Sequence, residues 1–204
     1  MTEYEHDHES PREERANAIT HGIGALAALV GGSVLVTLAA AYGNGWQLGS
    51  AIVFSVTLVL LYLASTLYHL SQDRVTKGRL KVFDHCAIFL LIAGTYTPFT
   101  LREDGGWWLF AATWTLAVAG VVFKLFFTGR FKGVSTLIYI GMGWMAVIAI
   151  KPFLRQIPPD TLRWLLAGGL TFGLSALLMF STSSLYHAAK NPATRLRLRR
   201  PARC

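Results

Sequence analysis

The sequence predicts an all-α fold, a polytopic transmembrane bundle with six spanning helices. Of its 204 residues, 53% are hydrophobic and 15% are charged. Globular proteins average about 25% charged residues, so this composition argues against a water-soluble domain. The apolar residues occur in runs long enough to cross a hydrocarbon core about 30 Å thick. Because a spanning segment must satisfy its backbone hydrogen bonds internally, and these runs are too long for barrel strands, we predict helices.

The six predicted spans fill most of the chain, and the connections between them are short. The bundle is predicted to comprise residues 18–187, between an acidic N-terminal tail at 1–17 and a basic C-terminal tail at 188–204. The spans are Ala18–Tyr42, Gln47–Ser71, Phe83–Leu101, Trp107–Thr128, Val134–Ile150 and Thr161–His187.

The lysines and arginines are distributed unequally between the two sides of this predicted bundle. Fourteen lie in the two tails and in the second and fourth connections, whereas four lie on the opposite side. Cytoplasmic loops of membrane proteins carry an excess of Lys and Arg. We therefore expect both termini to be cytoplasmic, and we interpret the net charge of +8 as a sign of topology and not of nucleic-acid binding.

Ionisable residues within or beside membrane spans are costly, so each is a candidate functional residue. At the start of the first span, Glu14, Asn17 and His21 are three or four positions apart and therefore share one helical face. The alternative interpretation is a helix N-cap followed by a histidine whose ring reaches the membrane surface.

Two further groups of polar residues lie at the same predicted end of the bundle. Ser65 and His69 are four positions apart near the end of the second span, and Asp84 and His85 begin the third. Imidazole is the commonest metal ligand and a natural proton shuttle, and a neighbouring hydroxyl can orient it. The structural alternative is that His69 and Asp84 only complement the dipoles of their helices.

The predicted topology places His21, His69, Asp84 and His85 at the same depth. Three histidines and an acid at one level are the ingredients of a zinc site, in which the metal would lower the pKa of a bound water to about 7. The sequence therefore indicates zinc as a candidate cofactor.

A short motif also recurs in the chain. Ser65-Thr-Leu-Tyr-His69 reappears as Ser183-Ser-Leu-Tyr-His187, 118 positions later. The recurrence adds His187 to the predicted polar layer; chance recurrence in a sequence rich in Leu and Ser is the alternative.

Several motifs occur in an order that points to one family. They are Glu14-x-x-Asn17-x-x-Thr20-His21-Gly22, Ser65-Thr-Leu-Tyr-His69, Phe83-Asp84-His85 followed by Ile92-Ala-Gly-Thr-Tyr-Thr-Pro-Phe99, and Gly143-Trp-Met-Ala-Val147 through Lys151-Pro152. In these motifs, which cover residues 13–169, the sequence resembles the hemolysin III family of the progestin and adipoQ receptor superfamily.

The resemblance implies a seven-helix protein of a bacterial-type plasma membrane, with zinc held by a histidine on helix 2 and a His-x-x-x-His pair on helix 7. Carried over by position, His69 is the metal ligand, Ser65 is its neighbour, and Asp84 holds or activates the zinc-bound water. The superfamily is related to alkaline ceramidases, so the resemblance also implies hydrolysis of a lipid amide.

The sequence departs from the family pattern at its C-terminal end. It contains no His-x-x-x-His motif, and an arginine-rich tail follows the sixth predicted span. His187 is the candidate replacement for one missing ligand, and His21 or His85 for another.

Two functions are therefore consistent with the sequence. The first is a zinc-dependent hydrolase of a membrane lipid amide that uses His69 and His187 as ligands, Asp84 as general base and Ser65 as a catalytic neighbour. The alternative is a non-enzymatic membrane protein that influences membrane energetics or permeability, in which the polar layer is a structural or vestigial metal site. Membrane lipids are the expected partners in both. A pore-forming toxin is a weaker hypothesis, because such toxins are usually soluble before insertion.

Overall fold

The computed structural model describes residues 10–100, 106–127, 132–148, 159–164, 166–168 and 170. Contacts divide the chain into two units, Met1–Ala149 and Ile150–Cys204. In the second unit residues 159–164 are helical, and Arg163 pairs with Asp160. The described part of the first unit contains five helices: α1 (Pro11–Tyr42), α2 (Gly45–Leu70), α3 (Arg74–Thr100), α4 (Trp107–Phe127) and α5 (Lys132–Ile148). The described residues contain no strand, which confirms the predicted all-α fold.

The outward faces of the helices are apolar. Large side chains such as Leu26, Val118 and Phe126 remain 66%, 56% and 76% exposed. Water would penalise so much contiguous apolar surface, whereas hydrocarbon does not. Helices α1 to α4 are each long and apolar enough to cross a membrane, so the chain is an integral membrane protein. Most of the predicted sixth span lies outside the described residues, and the count of six spans stays a prediction.

Two helices begin well before the predicted spans. Helix α1 begins at Pro11 and not at Ala18, and α3 begins at Arg74 and not at Phe83. The starts differ because an apolar run marks only the part of a helix that meets hydrocarbon. Polar residues can continue the same helix outward until they reach a capping residue. Residues 11–17, assigned to the tail from the sequence, are therefore helical.

Capping groups at the helix starts explain this extension. Ser10 Oγ accepts a hydrogen bond from the Glu13 backbone N–H, and the Glu13 carboxylate accepts one from the Ser10 N–H, which forms a capping box. The N-cap of α1 is thus Ser10. Asn44 caps α2 in the same way, two residues after α1 ends, so α1 and α2 form an antiparallel hairpin.

Small residues allow the helices to approach closely. A Cβ built at Gly32 of α1 would lie 2.9 Å from the Cβ of Ser55 in α2, and one at Gly24 would meet the Tyr62 ring. Gly94 of α3 touches Thr57 of α2 in the same way. Close approach through small residues is a common way for membrane helices to associate, because lipid offers no hydrophobic driving force between them.

Helices α3, α4 and α5 enclose a core of fully buried residues, namely Phe89, Ala93, Ala117 and Met142. Two polar contacts hold this group together. The Tyr96 hydroxyl donates to the Met142 carbonyl (2.9 Å), and Trp114 Nε1 donates to Thr97 Oγ1 (3.1 Å). Helix α5 is therefore fastened to α3 by its backbone as well as by its side chains.

We predict that Gly94→Ala destabilises the bundle. The added methyl group would overlap Thr57, whose hydroxyl is already bonded to the Val53 and Phe54 carbonyls and has little room to move. Overpacking of this kind costs roughly 1–3 kcal/mol of unfolding free energy. The measurement is the unfolding free energy in detergent micelles.

Gly31→Ala is the matched control, because a Cβ at Gly31 has no neighbour within 4 Å. This variant should be neutral or stabilised by up to about 1 kcal/mol, since alanine favours the helix. Equal stability of the two variants would show that the α2–α3 contact is not tight.

Candidate functional site

Polar residues of three helices meet at one end of the bundle. We call them the polar cluster: Glu14 and His21 of α1, Ser65 and His69 of α2, and Lys77 of α3. Ser65 and His69 are buried, and the other three are partly buried. The predicted shared face of Glu14, Asn17 and His21 is confirmed, because each of these is partly buried while their neighbours Arg15 and Ile19 are exposed.

The Glu14 carboxylate joins the three helices. Its Oε2 lies 2.9 Å from His69 Nδ1, and its Oε1 lies 2.6 Å from Lys77 Nζ. Because an ionised carboxylate can only accept hydrogen bonds, the Nδ1–H of His69 must be the donor. In a neutral His69 ring the lone pair then lies on Nε2, the nitrogen available to a metal ion or a proton.

A second pair lies beside the first. His21 Nδ1 and Ser65 Oγ share a hydrogen bond of 2.5 Å. The rings of His21 and His69 are 5.5 Å apart, centroid to centroid, and almost perpendicular. The sequence predicted that these two histidines lie at the same level, and the structure brings their rings into contact.

The sequence indicates Lys77 only as one of the basic residues that set the topology. The structure places its ammonium group against Glu14 and 5.2 Å from the centroid of the Tyr68 ring. The Tyr68 ring is in turn 4.8 Å from that of His69. A signal was present in the sequence, since Lys77 and Asp84 are seven positions apart and so share one face of a helix.

Asp73 fixes the position of Lys77. Its Oδ2 accepts a hydrogen bond of 2.8 Å from the Thr76 N–H, and its carbonyl accepts one of 2.8 Å from the Lys77 N–H. Asp73 therefore caps α3 one turn before Lys77. The hydrogen bond from the Thr76 backbone lowers the pKa of Asp73 below its ordinary value.

Asp84 lies on the same helix as Lys77, seven residues further along, as His21 lies seven residues beyond Glu14 on α1. With a rise of 1.5 Å per residue, both are about 10 Å further into the bundle than the Glu14–Lys77 ion pair. Asp84 is partly buried, and it forms no hydrogen bond with any other residue that the structure describes.

His85, predicted to join this layer, forms its hydrogen bonds with other residues. Its Nδ1 shares a hydrogen bond of 2.5 Å with the Lys81 carbonyl, and its own carbonyl accepts one of 3.0 Å from the Tyr139 hydroxyl. No ring contact or hydrogen bond joins it to the polar cluster within the described residues. His187 lies outside them.

One histidine of the polar cluster has a feature in common with metal-binding histidines. In the described ranges no three His, Cys, Asp or Glu side chains are close enough together to hold a metal ion. His69 nevertheless has the setting of a metal-binding histidine, whose second ring nitrogen usually donates to a carboxylate. The described residues thus provide one oriented imidazole. Zinc binding stays a prediction, because the remaining ligands would have to come from other residues.

We predict that the Asp73 cap contributes stability only above acidic pH. Because the pKa of Asp73 is lowered in the folded protein, this contribution is complete above the ordinary value of 3.8 and is lost as the pH falls through the lowered value. Asn also caps helices and does not titrate. The difference in unfolding free energy between the wild type and Asp73→Asn, measured against pH, should therefore change in this acidic range, and a constant difference would contradict the assignment.

The Glu14–Lys77 ion pair should show measurable coupling. In a double-mutant cycle with Glu14→Gln and Lys77→Met, we expect a coupling energy of about 1 kcal/mol in the unfolding free energy, since both side chains are mostly buried. The control is a cycle on Asp160 and Arg163, which are 84% and 80% exposed and should couple by less than about 0.5 kcal/mol. Equal coupling in both cycles would mean that burial does not strengthen the Glu14 pair.

Comparisons with known proteins agree with this architecture. The family model described as "Haemolysin-III related" matches residues 10–178. The chain is 41% identical over 181 residues to the Hemolysin-3 homolog of Bacillus subtilis (strain 168), which covers 87% of this chain and 85% of that protein. It is 44% identical over 169 residues to Hemolysin-3 of Bacillus cereus, covering 81% and 77%.

A more distant relative is the human Monocyte to macrophage differentiation factor, 26% identical over 183 residues, with 83% of this chain and 72% of that protein covered. No solved structure matches the chain. The resemblance predicted from the motifs is confirmed: the chain belongs to the hemolysin III family.

Proposed function

We propose that this protein is a zinc-dependent hydrolase that cleaves the amide bond of a membrane lipid. The observation that carries the proposal is the hydrogen bond between Glu14 and His69 Nδ1. It fixes the tautomer and the orientation of His69, which is what a carboxylate partner does for a metal-binding histidine.

Each residue then has a defined part. His69 would hold the zinc ion together with His187, and zinc, when bound, would supply a Lewis acid and water of lowered pKa. Asp84 would accept a proton as general base, since its carboxylate is not occupied by another described side chain. Ser65 would position the reacting group through its hydroxyl, which the bond to His21 already orients.

The location of the polar cluster suits a lipid substrate. The cluster lies where α1 extends beyond its apolar run and where α2 ends, which is the depth of lipid headgroups. If the basic residues set the topology as expected, this is the cytoplasmic surface. A headgroup amide could then reach the site without leaving the bilayer.

The Glu14 contacts also favour a second candidate, a non-enzymatic protein in which the polar cluster only joins α1, α2 and α3. Such a protein would influence membrane energetics or permeability without turnover. Asp84→Asn distinguishes the two, because a hydrolase should lose turnover and keep its folding stability. The second candidate has no turnover to lose, and its stability should fall when a member of the polar cluster such as Glu14 is changed.

The test is zinc content by mass spectrometry on detergent-purified protein. We expect about one zinc per chain in the wild type, and its loss in His69→Ala and in His187→Ala. Glu14→Gln should weaken zinc affinity by about 10–100-fold, as loss of a carboxylate partner does elsewhere. His85→Gln is the matched control and should keep its zinc, because His85 is bonded to the Lys81 carbonyl of its own helix.

If the folded wild type contains no zinc, the hydrolase proposal is rejected. If zinc is present, lipid amides should be hydrolysed by the wild type and not by Asp84→Asn. Zinc retained in His69→Ala would place the metal elsewhere and remove His69 from the mechanism.

A further inference from the structure

Lys77 of α3 contacts two of the groups that surround the His69 ring. Its Nζ lies 2.6 Å from Glu14 Oε1 and 5.2 Å from the centroid of the Tyr68 ring. Glu14 in turn bonds to Nδ1 at the edge of the His69 ring, and the Tyr68 ring lies 4.8 Å from it, centroid to centroid. The zinc proposal gives Lys77 no part, although this residue is the common partner of both neighbours of His69.

The position of Lys77 differs from that of the basic residues beside it on α3. Arg74 and Arg79 are exposed, whereas Lys77 is partly buried and its ammonium group contacts Glu14. The excess of basic residues on the cytoplasmic side of a membrane requires only that such residues lie on that side. Topology therefore does not account for a lysine whose charge is directed into the bundle.

The contact with Lys77 controls the direction of the Glu14 carboxylate. The two oxygens of a carboxylate are held in one plane, so a partner that fixes Oε1 also fixes the direction of Oε2, the atom bonded to His69. The Glu14 side chain is 15% exposed, and an unpaired oxygen in such a position is costly. Without Lys77, the carboxylate would therefore turn towards the water at the membrane surface and leave His69.

The direction of this carboxylate decides which nitrogen of His69 carries the proton. A neutral imidazole has one N–H, and a carboxylate that only accepts hydrogen bonds selects the tautomer with the proton on Nδ1. The lone pair is then on Nε2. If the carboxylate turned away, the proton would be able to move to Nε2, and that nitrogen would lose its ability to bind a metal ion.

We propose that Lys77 is a positioning residue, which sets the tautomer of His69 by holding the Glu14 carboxylate in place. This effect on the His69 ring is a property of the protein without metal. Its consequence, tighter binding of zinc at Nε2, rests on the proposed zinc-hydrolase function.

The experiment is ¹⁵N NMR of the zinc-free full chain in detergent, with the six histidines labelled. Ring ¹⁵N resonances distinguish a protonated nitrogen from one with a lone pair, and His69→Gln identifies the His69 signals by their loss. The pH is about 8.5, where an ordinary imidazole is neutral. In the wild type we expect the tautomer with the proton on Nδ1.

In Lys77→Met, the ratio of the Nδ1–H to the Nε2–H tautomer of His69 should fall by about tenfold, the factor that corresponds to the loss of one hydrogen bond to a charged group. Lys77→Arg should restore most of the ratio, because a guanidinium group also binds a carboxylate. Should Lys77→Met fail to fold, Lys77→Gln takes its place, since it keeps a donor and removes the charge.

Two controls separate this role from a general effect of charge. Arg79→Met removes an exposed cation from the same turns of α3 and should leave the ratio as it is in the wild type. In a Glu14→Gln background, Lys77→Met should change the ratio by less than about twofold, because the carboxylate through which Lys77 acts is absent. An ion pair with only a structural role would lower stability in Lys77→Met and leave the ratio unchanged, and that result overturns the proposal. An equal effect with and without the Glu14 carboxylate overturns it as well.

Zinc affinity provides a second measurement. Lys77→Met should bind zinc about tenfold more weakly than the wild type, and Lys77→Arg should recover most of this loss. If the wild type binds no zinc, the zinc-hydrolase proposal fails, while the tautomer ratio still decides the role of Lys77. If the ratio falls in Lys77→Met and zinc affinity does not, the link from the tautomer to metal binding is overturned.

Discussion

The candidate site depends on a carboxylate shared among three helices. Glu14 is tolerated in a mostly buried position because both of its oxygens are occupied, one by His69 and one by Lys77. This arrangement requires α1 to continue beyond its apolar run and α3 to begin before its own. The caps at Ser10 and Asp73 therefore position the site, and their backbone carbonyls accept hydrogen bonds from the N–H groups of Glu14 and Lys77.

The geometry of the polar cluster depends on close packing along the length of α1 and α2. The polar cluster lies at the opposite end of α1 and α2 from the two-residue turn that joins them, so the turn does not fix its geometry. What fixes it is the row of small residues between the helices, where Gly24 meets Tyr62 and Gly32 meets Ser55. Shape complementarity far from the polar residues thus sets the distances between them.

The sequence was sufficient to predict the class of protein, the family and the shared face of Glu14, Asn17 and His21, since these follow from apolar length, motif order and helical spacing. It did not predict the helix ends, because hydropathy marks the bilayer and not the cap. It also did not predict which histidines meet. His21 and His85 lie at comparable depths, but the rotation of each helix decides that one faces His69 and the other its own backbone. Rotation results from packing across helices, which a single sequence does not contain.

The short turn at Gly43 and Asn44 has a consequence for the order of assembly. Glu14, His21, Ser65 and His69 all belong to α1 and α2, which form a single hairpin. Their two hydrogen-bonded pairs can therefore form during synthesis, as soon as that hairpin enters the membrane and before α3 is made. At that stage the Glu14 carboxylate would be bonded only to His69, and its other oxygen would gain a partner when Lys77 of α3 is added. The third helix thus has an electrostatic reason to dock against the first two in one register and not in another.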